Sequence, residues 1–117
     1  MPVGVAAFSP DGRILGFTQS GGVRFLDVRD SLNGHEVCHV SSRLVTSSPN
    51  PINHEWVRWI NTGITQGDAQ ESLHPNAYGE RAIGKCISLS YAQAGGNHTC
   101  RNTPGADYNA MTLASIP

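Results

Sequence analysis

Charge is scarce in this 117-residue chain: 15% of residues are Asp, Glu, Lys or Arg, and the formal net charge is −1. Neither nucleic acid nor an anionic membrane surface is implied as a partner by that balance. No apolar run approaches the roughly 18 residues of a transmembrane helix, so no membrane-spanning segment is expected. The start, Met1-Pro2-Val3-Gly4, has no basic segment followed by an apolar core. Expressed as it stands, the chain is therefore expected in the cytoplasm. There are three cysteines, Cys38, Cys86 and Cys100. An odd count allows at most one internal disulfide and leaves one thiol over. Cys86 and Cys100 bracket the glycine-rich Ala94-Gly95-Gly96-Asn97, which would bring them together; the other pairings, and three reduced thiols, remain open.

What the chain has in quantity is turn formers, 13 Gly and 7 Pro. Residues 3–8 and 13–17 flank Ser9-Pro10-Asp11-Gly12. Proline presets one turn dihedral and glycine accepts a positive one, so residues 1–20 read as a β-hairpin segment. Val23 to Val28 is rich in β-branched and aromatic residues and reads as a strand. Ser47-Ser48-Pro49-Asn50-Pro51 reads as surface loop. Trp56, Val57, Trp59 and Ile60 form a short apolar patch that packs under that loop. From Pro75 to Ser90, Gly79, Ala82, Ile83, Cys86, Ile87 and Ser90 recur at spacings of three and four, which gives a helix one buried face. Gly79 and Gly84 each cost that helix about 1 kcal/mol relative to alanine, tolerable where a glycine permits close packing. Residues 94–117 are rich in glycine, asparagine and proline and read as an extended tail. Asn97-His98-Thr99 has the form of an N-glycosylation acceptor.

The chemistry-bearing stretch is Gln70-Glu71-Ser72-Leu73-His74-Pro75-Asn76. A serine hydrolase needs a histidine that takes the nucleophile's proton on one ring nitrogen while a carboxylate or carbonyl holds the other. Glu71 and His74 are the candidate catalytic residues, with Pro75 starting a helix behind them. Residues 66–79, Gln-Gly-Asp-Ala-Gln-Glu-Ser-Leu-His-Pro-Asn-Ala-Tyr-Gly, resemble the last catalytic block of secreted actinobacterial SGNH (GDSL-type) esterases and lipases. The resemblance extends through residues 22–30, through Gly34-His35-Glu36-Val37-Cys38 and through Gly84-Lys85-Cys86, covering roughly 21–93. It implies an α/β fold: part of a flavodoxin-like three-layer α/β/α unit, with an N-terminal β-hairpin and one C-terminal helix. It also implies a carboxylic ester or lipid substrate, no cofactor, and His74 as the catalytic histidine. Glu71 stands where most members have Asp.

Missing from the chain are the family's Gly-Asp-Ser nucleophile, its oxyanion glycine and its Gly-Asn-Asp segment. Neither Ser9 nor Ser20 stands in a nucleophile setting. A five-stranded doubly wound sheet has about four crossovers of roughly 30 residues, which would consume this entire length. The expectation is thus the C-terminal fragment of an ester hydrolase, inactive alone, that meets its substrate when a nucleophile-bearing segment completes it. Two other classes are carried by other stretches. His35-Glu36-Val37-Cys38-His39 fits the zinc metalloprotease pattern, with His35 and His39 as ligands and Glu36 as base; Glu55 or Glu71 would have to be the third ligand. Residues 3–28 resemble one blade of a WD-repeat propeller, which implies a β-rich interaction module, although a single blade has no neighbour on which to bury its faces.

Overall fold

The computed structural model describes residues 6–8, 14–19, 22–37, 39, 50–58 and 73–117. Its strands are β1 (Ala6–Phe8), β2 (Ile14–Gln19), β3 (Gly22–Asp27), β4 (Asn97–Arg101) and β5 (Thr112–Ile116), and its helix is α1 (Ala77–Tyr91). They form one mixed sheet in the order β1-β2-β3-β4-β5. β1 pairs with β2 and β2 with β3, both antiparallel, with Phe8 opposite Leu15 and Leu15 opposite Leu26. The turn expected at Ser9-Pro10-Asp11-Gly12 lies outside the described residues. β3 and β4 are parallel, with Leu26 opposite His98, and α1 lies between them in sequence. Antiparallel β5 closes the order, with Cys100 opposite Leu113.

Strand β3 shows the period of two that a sheet with one covered face demands: Arg24 and Leu26 are buried, Val23 and Phe25 exposed. The covered face meets α1, whose buried residues Gly79, Ala82, Cys86 and Ser90 follow the expected three-and-four spacing. Leu26, Val28, Trp56, Ala82, Cys86, Cys100 and Met111 make the core, joined at its margin by Tyr78, Ile87, Tyr108 and Leu113. Cys86 and Cys100 are disulfide-bonded, with Cα atoms 5.8 Å apart, and tie the middle of α1 to β4. Cys38 lies outside the described residues.

Both helix ends are satisfied by side chains. Asn76 caps the start, its Oδ1 accepting from the N–H groups of Tyr78 (2.9 Å) and Gly79 (3.2 Å). The last turn of α1 has no basic residue of its own. Arg24 of β3 supplies the cation from across the interface, donating to the carbonyls of Ser90 (2.7 Å), Gln93 (3.1 Å) and Gly96 (3.2 Å). A guanidinium has the fixed fork needed to bind several orphan carbonyls while satisfying itself.

Residues 94–117, expected as an extended tail, carry β4 and β5 instead. Three contacts explain why a turn-rich stretch is ordered. Cys100 is anchored to α1, Met111 is buried in the core, and Thr103 Oγ1 donates to Ala110 O at 2.6 Å across the connection. Gly105 takes φ +77° in that connection, a conformation glycine adopts without strain.

Candidate functional site

The His74 loop is built by a short antiparallel clamp. Val57 bridges Pro75, Arg58 N donates to His74 O (2.8 Å), Leu73 N donates to Arg58 O (2.9 Å) and Asn76 N donates to Trp56 O (2.9 Å). Asn76 adds a side-chain bond, Nδ2 to Glu55 O at 2.7 Å. Within this clamp Leu73 sits at φ +63° with its side chain exposed, a backbone conformation rarely taken by branched residues. The result is an exposed His74 with its backbone fixed on both sides, two residues ahead of the Asn76 cap. Among the described residues none hydrogen-bonds to its imidazole. Its expected partner Glu71 lies outside the described residues, as do Trp59 and Ile60 of the apolar patch; Trp56 is a core residue.

A cleft of about 590 Å³ opens elsewhere, between Asn33, Gly34 and His35, Ile52 and Asn53, and the run Arg101, Asn102, Pro104 and Gly105. Asn33–His35 follow β3, and Arg101 ends β4. The cleft therefore lies beyond the carboxyl ends of the two parallel strands, where open α/β sheets bind ligands. Asn102 Nδ2 donates to Asn33 O at 2.5 Å and ties its two sides. Arg101 is exposed, and its Nε lies 3.5 Å from the Asp30 carboxylate. His74 does not line this cleft.

His35 is held in the cleft by a ring stack and a carbonyl. Two turns carry the chain to it from β3, Ser31 N to Val28 O (3.1 Å) and His35 N to Leu32 O (2.9 Å), with Gly34 at φ +82°. Its ring stacks on Trp56 with centroids 3.8 Å apart and planes 7° off parallel. Its Nδ1 lies 2.7 Å from His54 O, and since a carbonyl only accepts, Nδ1 carries the proton. Burial holds the His35 pKa below the ordinary histidine value, offset in part by the His54 carbonyl and Glu36, while His39 lowers it further. A neutral ring of fixed tautomer offers Nε2 as an acceptor.

The zinc pattern takes a different form from the helix it needs. Among the described members of 35–39 the backbone is bend and turn, with His39 N bonded to Glu36 O at 3.1 Å. The zinc pattern brings two histidines four residues apart to one metal because they stand one helical turn apart on the same face. Glu36 spends one oxygen on the Gly34 N–H (2.7 Å), and His35 spends Nδ1 on His54 O. Among the described residues no three of His, Cys, Asp or Glu are grouped to hold a metal ion. Asn97 of the glycosylation triplet accepts from Phe25 N through Oδ1 at 2.9 Å, extending the β3–β4 ladder.

Arg101, Asn53 and the His54 carbonyl that orients His35 were not singled out from sequence as site groups. The signal present was only the loop former Asn102-Thr103-Pro104-Gly105, a kind of segment that often carries binding residues. Beneath the sheet, Ser90 Oγ and His98 Nδ1 are buried without a hydrogen-bond partner beside Arg24. Burial, and then the Arg24 charge, hold the His98 pKa low.

Geometry and topology together define a small mixed α/β unit with a polar cleft at the carboxyl end of a parallel strand pair. No protein-family model matches the chain, and neither a curated protein nor a solved structure matches it.

Proposed function

We propose that this chain is the histidine-bearing part of an SGNH-type carboxylic ester hydrolase, a three-layer α/β/α enzyme when complete. The supporting observation is the placement of His74. It is exposed on a clamped turn directly ahead of a capped helix, and that helix joins two parallel strands. His74 would act as general base toward a serine on a completing segment, with Glu71 or a backbone carbonyl holding the ring. The substrate class is a carboxylic ester or lipid. The bare face of β3, with Val23 61% and Phe25 49% exposed, is what a sheet lacking one of its helical layers would present. The buried Cys86–Cys100 bridge favours an oxidising compartment over the cytoplasm.

The test is complementation. The chain is mixed with the nucleophile-bearing segment of an SGNH esterase, complex formation is followed by size-exclusion chromatography, and p-nitrophenyl butyrate hydrolysis is measured. Saturable turnover that appears with the complex and disappears in His74→Ala is expected. A complex whose turnover ignores His74→Ala, or saturable turnover by the chain alone, refutes the reading.

A further inference from the structure

We propose that the cleft formed by Asn33–His35, Ile52–Asn53 and Arg101–Gly105 binds a small hydroxylated carboxylate, a hydroxy acid or sugar acid, between Arg101 and His35. This inference is independent of ester hydrolysis, because it is argued without His74, which does not line the cleft.

Size comes first: about 590 Å³ lies within the range of sites for small molecules. Charge then selects the anion. Among the described residues that line the cleft Arg101 is the one Lys or Arg, and burial lowers the pKa of His35. The contact with Asp30 uses Arg101 Nε, so the two terminal nitrogens keep the parallel N–H pair that matches a carboxylate. The neighbouring acids are engaged, Asp30 with Arg101 and Glu36 with the Gly34 N–H.

His35 selects the hydroxyl. Its Nδ1–H is committed to His54 O and its face to Trp56, so the ring cannot turn to present a donor. What it offers a ligand is the Nε2 lone pair, which wants an O–H or N–H. A simple carboxylate satisfies Arg101 and leaves His35 unmet, and a neutral polyol does the reverse. A molecule carrying both groups satisfies both, while Ile52 and Pro104 supply apolar wall and Asn53 further polar capacity.

The probe is gluconate, titrated into the ¹⁵N-labelled chain, with acetate and sorbitol as arms that carry the acid alone and the hydroxyls alone. Amide signals of residues 33–35 and 101–105 and the His35 ring nitrogens are followed. Saturable gluconate shifts at both ends of the cleft are expected, with affinity at least about tenfold above either arm. Arg101→Met, at an exposed position, should keep the folded spectrum and weaken gluconate at least about tenfold. His35→Gln tests the other end, and if it unfolds the Arg101 variant decides. The proposal is overturned by no saturable shift up to about 50 mM gluconate. Equal affinity for acetate or sorbitol, or unchanged affinity in Arg101→Met, overturns it equally.

Discussion

Two glycines five residues apart on α1 should respond to alanine with opposite signs. In a helix interior, replacing glycine by alanine gains about 1 kcal/mol of helix propensity where space allows. Gly84 is exposed, and a Cβ built on it meets nothing within 4 Å. Gly84→Ala should therefore stabilise by about 1 kcal/mol, which for a domain of this size raises Tm by roughly 3–6 °C. At Gly79 the new methyl would collide with the backbone carbonyl oxygen of Trp56 and stand 2.9 Å from Pro75 Cβ. That carbonyl cannot move cheaply, because it accepts the Asn76 N–H at 2.9 Å while Trp56 itself is wholly buried. Relief requires lifting the first turn of α1 off the 54–58 segment, weakening the clamp behind His74. Overpacking of this kind costs about 1–3 kcal/mol, which exceeds the propensity gain. Net destabilisation of Gly79→Ala by up to about 2 kcal/mol follows. Thermal and urea unfolding followed by circular dichroism read both variants, with the m-value confirming that only stability changed. A Gly79→Ala protein as stable as Gly84→Ala would show that α1 does not approach Trp56 as described.

Asn76→Ala should cost about 2–4 kcal/mol, the sum of a lost N-cap and an orphaned Glu55 carbonyl, whereas Asn76→Ser should recover the capping part in urea unfolding. Stability should fall on acidification. His35 and His98 both have folded pKa values below those of the unfolded chain, so stability is full above about pH 6.5. Below that the unfolded state binds more protons, and each histidine removes at most about 1.4 kcal/mol per pH unit. Tm measured from pH 7.5 to 5 should show this slope, reduced in His98→Gln. Removing the disulfide as Cys86→Ser with Cys100→Ser should cost about 3 kcal/mol, the value for a loop closed over about 15 residues. A chemical melt unchanged by the double substitution would deny the bridge.

What was legible in sequence is what local chemistry decides. The three-and-four spacing from Gly79 to Ser90 and the run Val23–Leu26 each carry their element within a few residues, and α1 and β3 lie there, although Pro75, expected to open the helix, stands just before its Asn76 cap. Gly79 was readable as a close-packing glycine only by type; that its neighbour is Trp56 O depends on a segment twenty-odd residues away. Strands β4 and β5 were not legible because their order comes from distant partners: Leu26 beside His98, Cys86 bonded to Cys100, Met111 in the core. Nothing near Arg24 in the sequence marks it as buried, yet it caps the C-terminal end of a helix more than sixty residues on. The cleft is drawn from three separated segments, and no spacing rule joins Asn33, Asn53 and Arg101.

The two histidines divide what a catalytic base needs. A general base works when its ring is already oriented, because immobilising a side chain during binding costs about 0.5–1.5 kcal/mol. At His35 the ring is fixed by a stack and a carbonyl, and the cleft before it has room for a small molecule. At His74 the backbone is fixed by bonds to Arg58 and by the cap that follows, while the ring stands exposed. These are different stages of organisation. His35 has Nδ1 committed to the His54 carbonyl, and burial holds its pKa below the ordinary histidine value, so under the proposed ligand reading its Nε2 would be the acceptor. Under the proposed hydrolase reading His74 needs completion: a serine-bearing segment would have to supply the nucleophile and enclose the imidazole. A partner that binds through the bare β3 face and reaches the clamp would do both, which is why complementation tests the hydrolase reading and small-molecule titration tests the cleft.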